Sequence, residues 1–263
     1  KRTGQGREIG ARRPEPLSGQ EKGVVPMTER NGRKAVENLL YATDRQRIVT
    51  LVTRMGEITS GALDSAVRSL LERDDVLARR VIDGDDDIDR MEERVDQECL
   101  GSIAMRRPGD ADLRFVFAAL KIITDLERIG DQAVNIAEKA LKLNAQPSFI
   151  PKDCIAPMVR CVCGMLHDAV RAFRDSDADL AAELWRRDDE VDDMYAKCTE
   201  SFLESLVSGS CACREAAKTG ADELWIVRHL ERAGDHAINI AERVFFVVEG
   251  APFPAKGARS GDE

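Results

Sequence analysis

The sequence predicts an all-α protein, a tandem pair of pseudo-symmetric antiparallel three-helix bundles with six long helices in all. Three observations carry this expectation. A thirteen-residue segment occurs twice, LERIGDQAVNIAE at 126–138 and LERAGDHAINIAE at 230–242, with ten positions identical and a spacing of 104 residues. A repeat of that length marks two copies of one supersecondary unit. The composition is 43% hydrophobic and 33% charged but only 5% aromatic, short of the aromatic and β-branched runs that sheets use. Finally, apolar residues recur at steps of three and four through long segments that end at Pro, Gly or Asp clusters.

Each element follows in order. Residues 1–38 are rich in Gly, Arg and Pro and read as a disordered leader, with Met27 a candidate natural start. A first helix runs from Leu39 to Leu70 through Ile48, Leu51, Val52, Met55, Ile58 and Leu63, and Arg73-Asp74-Asp75 ends it. A second, from Val76 to Ala104, carries Leu77, Val81, Ile82, Ile88, Met91, Val95 and Cys99. After Pro108-Gly109-Asp110 a third spans Ala111 to Leu143, closing a first bundle at 39–146. Pro147 and Pro151 mark a linker. The pattern then repeats in a second bundle at 152–250, with helices at 155–174, 177–207 and 221–248, followed by a loose tail at 251–263. Beyond the signature, Leu63-to-Val67 aligns with Leu166-to-Val170, Asp74 with Asp177, and Asp85-to-Asp89 with Asp188-to-Asp192, all at an offset of 103.

The totals exclude several function classes. A formal charge of −9 is unsuited to nucleic acid, whose phosphates need a basic surface. No stretch reaches the ~20 apolar residues of a membrane span. Seven cysteines, an odd number with no secretory leader evident, predict reduced thiols in a cytoplasmic protein. Cys161/Cys163 and Cys211/Cys213 are CxC pairs. Residues two apart on a helix point about 200° from each other, so the first pair does not share an ion, and neither has the CxxC spacing of zinc sites. No nucleophile–base pairing, Gly-rich phosphate loop or P-loop is present, so no catalytic residue is assigned.

The acidic residues carry the chemistry. Glu127 and Asp131 lie four apart on the third helix, and Asn135 and Glu138 extend their line within an arc of about 80°. Glu231, Asp235, Asn239 and Glu242 repeat it. On the second helix Asp85 and Asp89 are again four apart, with Glu92, Glu93 and Asp96 on the same side. Asp188 and Asp192 are their counterparts on the fifth, where Tyr195, Ala196 and Thr199 replace the further acids. Like charges so spaced disfavour a helix by a few tenths of a kcal/mol per pair. A bound cation is the simplest offset, and hard oxygen donors suit iron, manganese, magnesium or zinc. A solvated acidic face is the plain alternative. Gly130 and Gly234, between the two acids of each pair, predict either close approach of another backbone or a packing role. His167, His229 and His236 are expected to serve surface or core roles.

These residues resemble the PhoU family, accessory proteins of bacterial phosphate-specific transport. The motifs that carry the resemblance are VIDGDDDIDRMEERVD at 81–96, ADLRFVFAALKIITDLERIGDQAVNIAE at 111–138, RRDDEVDDMY at 186–195 and RHLERAGDHAINIAE at 228–242, within about 45–249. The resemblance implies two three-helix bundles and E(D)xxxD motifs able to hold multinuclear iron or zinc clusters on their surface. Asp85, Asp89, Glu127 and Asp131 would form one site; Asp188, Asp192, Glu231 and Asp235 would form the other, with Asn135, Glu138, Asn239 and Glu242 supporting. It further implies a homodimeric cytoplasmic adaptor, not an enzyme. Such an adaptor contacts the ATPase of a phosphate ABC transporter and a sensor histidine kinase, and restrains uptake and phosphate-starvation signalling when phosphate is plentiful.

Two rivals remain at this level. A ferritin-like di-iron enzyme requires Glu-x-x-His on two helices, and no Glu here has a His three residues later. A metal-free helical scaffold with solvated acidic rows is the other.

Overall fold

The computed structural model describes residues 27–106, 109–208 and 213–253, with the side chains of 27–40 and 106 excepted. The helices are α1 (Met27–Leu71), α2 (Asp75–Asp83), α3 (Asp85–Arg106), α4 (Asp110–Leu143), α5 (Lys152–Asp175), α6 (Ala178–Val207) and α7 (Arg214–Glu249). No strand occurs among the described residues. Both halves lie in one compact unit, Leu39–Glu263, and the chain before it, 1–38, is a separate unit.

Two differences from the sequence expectation have physical causes. The single helix expected at 76–104 is two helices, α2 and α3, interrupted at Gly84. The aligned position in the second half is Arg187, and α6 runs through it unbroken. Glycine is the weaker helix former by about 1 kcal/mol, and the Gly84 amide already bonds back to the Arg80 and Val81 carbonyls as a cap. The other difference is at the amino-terminal side: α1 begins at Met27, so 27–38 is helical rather than part of an unstructured leader. Glu29, Arg30, Arg33, Lys34, Ala35 and Glu37 there are good helix formers, with Asn31-Gly32 the weak step. Residues 1–26 and the tail beyond 253 lie outside the described residues.

The duplication extends to the turns. Arg73 (φ 58°) and Ser176 (φ 55°) both take the left-handed conformation, 103 residues apart. The amide that follows each reaches back five residues, Asp74 to the Ser69 carbonyl at 2.8 Å and Asp177 to that of Ala172 at 2.9 Å, which closes a Schellman turn. Asp74 and Asp177 then cap the next helix, accepting from Val76 and Leu77 amides and from the Leu180 amide. A left-handed non-glycine residue costs roughly 1 kcal/mol, and the cap it presents offsets that. Arg73 also donates to the carbonyls of Asn144 and Gln146.

A single hydrophobic cluster runs through both halves. Ile122, Ile123, Leu126, Ile129, Ile136, Leu230, Ala233 and Ile240 are fully buried within it, and Phe115 of α4 stacks on Phe173 of α5 at 5.4 Å. The seam between the halves is the α4/α7 pair. Three polar rungs cross it: Asp125 with His236 (2.9 Å), Gln132 with His229 (2.7 Å) and Lys139 with Asp222. Partners step by seven residues in opposite directions, so the two helices are antiparallel. The Asp125/His236 rung and the Gln132/His229 rung are each other's images under the 104-residue repeat. Glu223, 3% exposed, pins the linker to α7 by accepting from the Phe149 and Ile150 amides at 2.8 and 2.7 Å.

Candidate metal centre

In each half the acidic face is built where the second helix of the bundle crosses the third, and the mid-helix glycine sets that crossing. A Cβ on Gly130 would stand 2.9 Å from Ile88 Cδ1 and 3.7 Å from Asp85 Oδ1; on Gly234 it would stand 3.4 Å from Val191 Cγ1. The neighbours that the glycines admit are therefore side chains of α3 and α6, not another backbone. Ile88 and Val191 are aligned residues, so one packing arrangement places Asp85 and Asp89 over α4 and Asp188 and Asp192 over α7.

In the first half the carboxylates act on one another across the two helices. Burial first, then the charges of Asp89 and Asp131, raise the Asp85 carboxyl above its ordinary range. Burial and then Asp131 raise Glu127, Arg128 opposes the rise, and Glu92 and Asp89 add to it. Glu92 is raised by burial, Asp96 and Asp89, with the Thr124 hydroxyl and Arg128 acting the other way. Asp85, Asp89, Glu92, Glu127 and Asp131 thus lie on one acidic face, near enough for charge on one to disfavour charge on another. Arg128 braces the rim, contacting Glu127 Oε2 at 3.4 Å and Asp131 Oδ2 at 3.0 Å while remaining 55% exposed.

The second half differs. Burial and then Asp235 raise Glu231, and burial and Asp192 raise Asp235, but Arg228 and Arg232 oppose both shifts. Arg228 Nη1 donates to Glu231 Oε1 at 2.5 Å, leaving Oε2 buried without a partner. The same guanidinium lies 5.8 Å from the Tyr195 ring centroid. Asp188 is half-buried one turn before Asp192 on α6.

The four supporting residues diverge. Asn135 donates to the Asp131 carbonyl of its own helix at 2.7 Å, and Asn239 reaches across the seam to Asp125 at 3.4 Å. Glu138 is exposed and Glu242 half-buried. Among the described residues, no group of three or more His, Cys, Asp or Glu side chains is arranged to hold a metal ion. Donor chemistry separates the halves. The first offers hard carboxylate oxygens whose mutual repulsion a cation would relieve. The second has fewer acids, with Tyr195 and Thr199 in place of Glu92 and Asp96. Two guanidinium groups, Arg228 and Arg232, act on its Glu231 and Asp235 where Arg128 alone acts on the Glu127 of the first, so it fits a cation less well.

Asp125, Gln132 and Arg228, which sequence reasoning passed over, and His229, His236 and Tyr195, to which it gave no site role, lie on the seam and beside the second cluster. His229 is held below the ordinary imidazole range, chiefly by burial and then by Arg232 and Lys139, which keeps it neutral as a partner for Gln132. The signal for the seam was present, since Asp125, Gln132, Lys139 and Asp222, His229, His236 are two heptad-spaced polar rows on otherwise apolar helix faces. The cysteines serve locally: Cys213 caps α7 by accepting from the Ala216 amide, while Cys211 lies outside the described residues.

The PhoU domain profile matches twice, at residues 52–140 and 155–244, one match on each three-helix half. The chain belongs to the PhoU family. The phosphate-specific transport system accessory protein PhoU homolog of Caulobacter vibrioides is 34% identical over 211 residues, covering 80% of this chain and 90% of that protein. PhoU homolog 1 of Thermotoga maritima is 34% identical over 231 residues, 87% of this chain and 98% of the relative. PhoU of Escherichia coli is 33% identical, covering 85% and 90%. The crystal structure of PhoU from Pseudomonas aeruginosa superposes with a TM-score of 0.73 at 32% identity, covering 80% of this chain and all of that one. The PhoU crystal structure from Streptococcus pneumoniae, at 24% identity and a TM-score of 0.74, shares the fold. The PhoU fold therefore accounts for the doubled bundle and the duplicated turns.

Proposed function

We propose that this chain is a non-catalytic regulatory adaptor of phosphate homeostasis, restraining phosphate uptake and starvation signalling when phosphate is plentiful. The observation that carries the reading is the double PhoU match together with relatives that are named accessory proteins of phosphate-specific transport across nearly their whole length. The partners follow from that reading: the ATPase of the phosphate ABC transporter and a sensor histidine kinase, met by a cytoplasmic homodimer. Among the described residues no helix is long and apolar enough to cross a membrane, in keeping with a protein that works through contacts with membrane-associated partners. An acidic helical scaffold with extended faces suits docking better than turnover. In the first half Asp85, Asp89, Glu127 and Asp131, with Glu92, would hold iron or zinc, and the bound ion would supply positive charge that ties α3 to α4.

Deletion of the gene is expected to derepress phosphate-starvation genes in phosphate-replete medium, and affinity capture from replete cells is expected to recover the transporter ATPase and the kinase. Unchanged expression in the deletion strain overturns the regulatory reading. A metal-free scaffold is the second reading, favoured by the lack of a converged ligand set among the described residues. Elemental analysis of untagged protein purified without chelator decides between the two.

A further inference from the structure

We infer that Arg228 is the built-in cation of the second acidic cluster, so that this half balances its carboxylates with a guanidinium and takes no metal. The inference departs from the expectation of two equivalent metal sites, and it bears on the metal part of the reading above.

The duplication supplies an internal control, because each half shows what the other could have been. Position 228 aligns with Thr124 and position 195 with Glu92. In the first half these places hold an acid and a neutral hydroxyl, and the Thr124 hydroxyl donates to the Leu120 carbonyl of its own helix at 3.1 Å. In the second half the same two places hold Arg228 and Tyr195, and the guanidinium stands over the phenol ring. The paired exchange removes one acid and adds one base at the same spot. Thr199 in place of Asp96 removes a further acid from the row.

The geometry shows Arg228 in use rather than merely near. It donates to Glu231, whose side chain is only 13% exposed, so the contact is made against a largely buried carboxylate. A hydrogen bond between ionised partners in that setting is among the stronger polar contacts available. Stacking on Tyr195 adds a second hold on the same group. A hard cation entering here would have to displace Arg228 from Glu231 and then share the cluster with it, and Arg232 and His236 also bear on Asp235. The first half has its own guanidinium, Arg128, which contacts Glu127 and Asp131 and is 55% exposed against 45% for Arg228, but there Glu92 and Asp96 add two acids that the second half lacks. Glu231 Oε2, buried and unpartnered, is the oxygen that would turn to a metal if Arg228 were taken away.

The test uses the untagged full chain, stripped with chelator and equilibrated with Mn2+ or Zn2+, with bound ions per chain read by elemental analysis and folding checked by circular dichroism. Arg228→Thr, which installs the residue of the first half, is expected to add a second class of bound ion, at least doubling the stoichiometry. Arg228→Gln, neutral and helix-compatible, is expected to do the same, and Arg228→Lys, which keeps the charge, is not. The added ion should vanish when Asp235→Asn is combined with Arg228→Thr. In the parent chain, uptake should survive Asp192→Asn/Asp235→Asn and be lost with Asp85→Asn/Glu127→Gln. The inference is overturned if the parent loses metal on the Asp192/Asp235 change, or if both neutral Arg228 variants bind no more than the parent. A parent that binds nothing while the neutral variants bind an ion upholds Arg228 and sinks only the metal reading of the first half.

Discussion

Asp89 raises the proton affinity of three neighbours at once, Asp85, Glu92 and Glu127. Carboxyls raised in the folded state favour folding when protonated. That contribution is complete below the ordinary carboxylate value of about 4 and is lost as pH climbs through the raised values. Removing one repelling charge should therefore help only on the neutral side. Asp89→Asn is expected to stabilise the metal-free protein at pH 7 by a few tenths of a kcal/mol, with the gain fading as pH approaches the carboxylate range. Paired urea melts of parent and variant across pH check this, and an unaltered midpoint at pH 7 refutes it. At this scale the acids were legible in the sequence because Glu127/Asp131 and Glu231/Asp235 recur at helical spacing in both copies. Arg228 was not, since reading a repeat for what its copies share passes over the position where they differ. Nor were the roles of His229 and His236, whose partners Gln132 and Asp125 lie 97 and 111 residues away.

Helices were legible where apolar periodicity is long and their ends are marked by Pro, Gly or Asp, as at Asp110–Leu143 and Ala178–Val207. The start of α7 was less so. It begins at Arg214, ahead of the expected 221, because Cys213 caps it and cysteine is not among the strong capping residues that would announce a start. Glycines within helices have different consequences according to what faces them. A Cβ at Gly220 would come 2.2 Å from the Phe202 ring, whereas at Gly234 its nearest neighbour is at the ordinary contact distance of 3.4 Å. Gly220→Ala is accordingly expected to cost ~1–3 kcal/mol through overpacking, and Gly234→Ala to be neutral or to gain up to about 1 kcal/mol of helix propensity. Denaturant unfolding of the two variants checks the contrast, and equal effects would mean that Phe202 yields freely.

For the whole molecule, the repeat disclosed that two like units exist, but not how they meet. The structure joins them through α4 and α7, run in opposite directions so that Asp125 finds His236 and Gln132 finds His229. Each half thus presents to its sibling very nearly the surface that the sibling presents in return. A segment carrying residues 39–146 alone would display that surface uncovered. Its best available mate is an identical molecule turned end for end, with Asp125 of each facing Gln132 of the other. Expressed by itself, the segment is expected to sediment at twice its formula mass, which would make the intact chain a covalently tethered form of a once-symmetric pair.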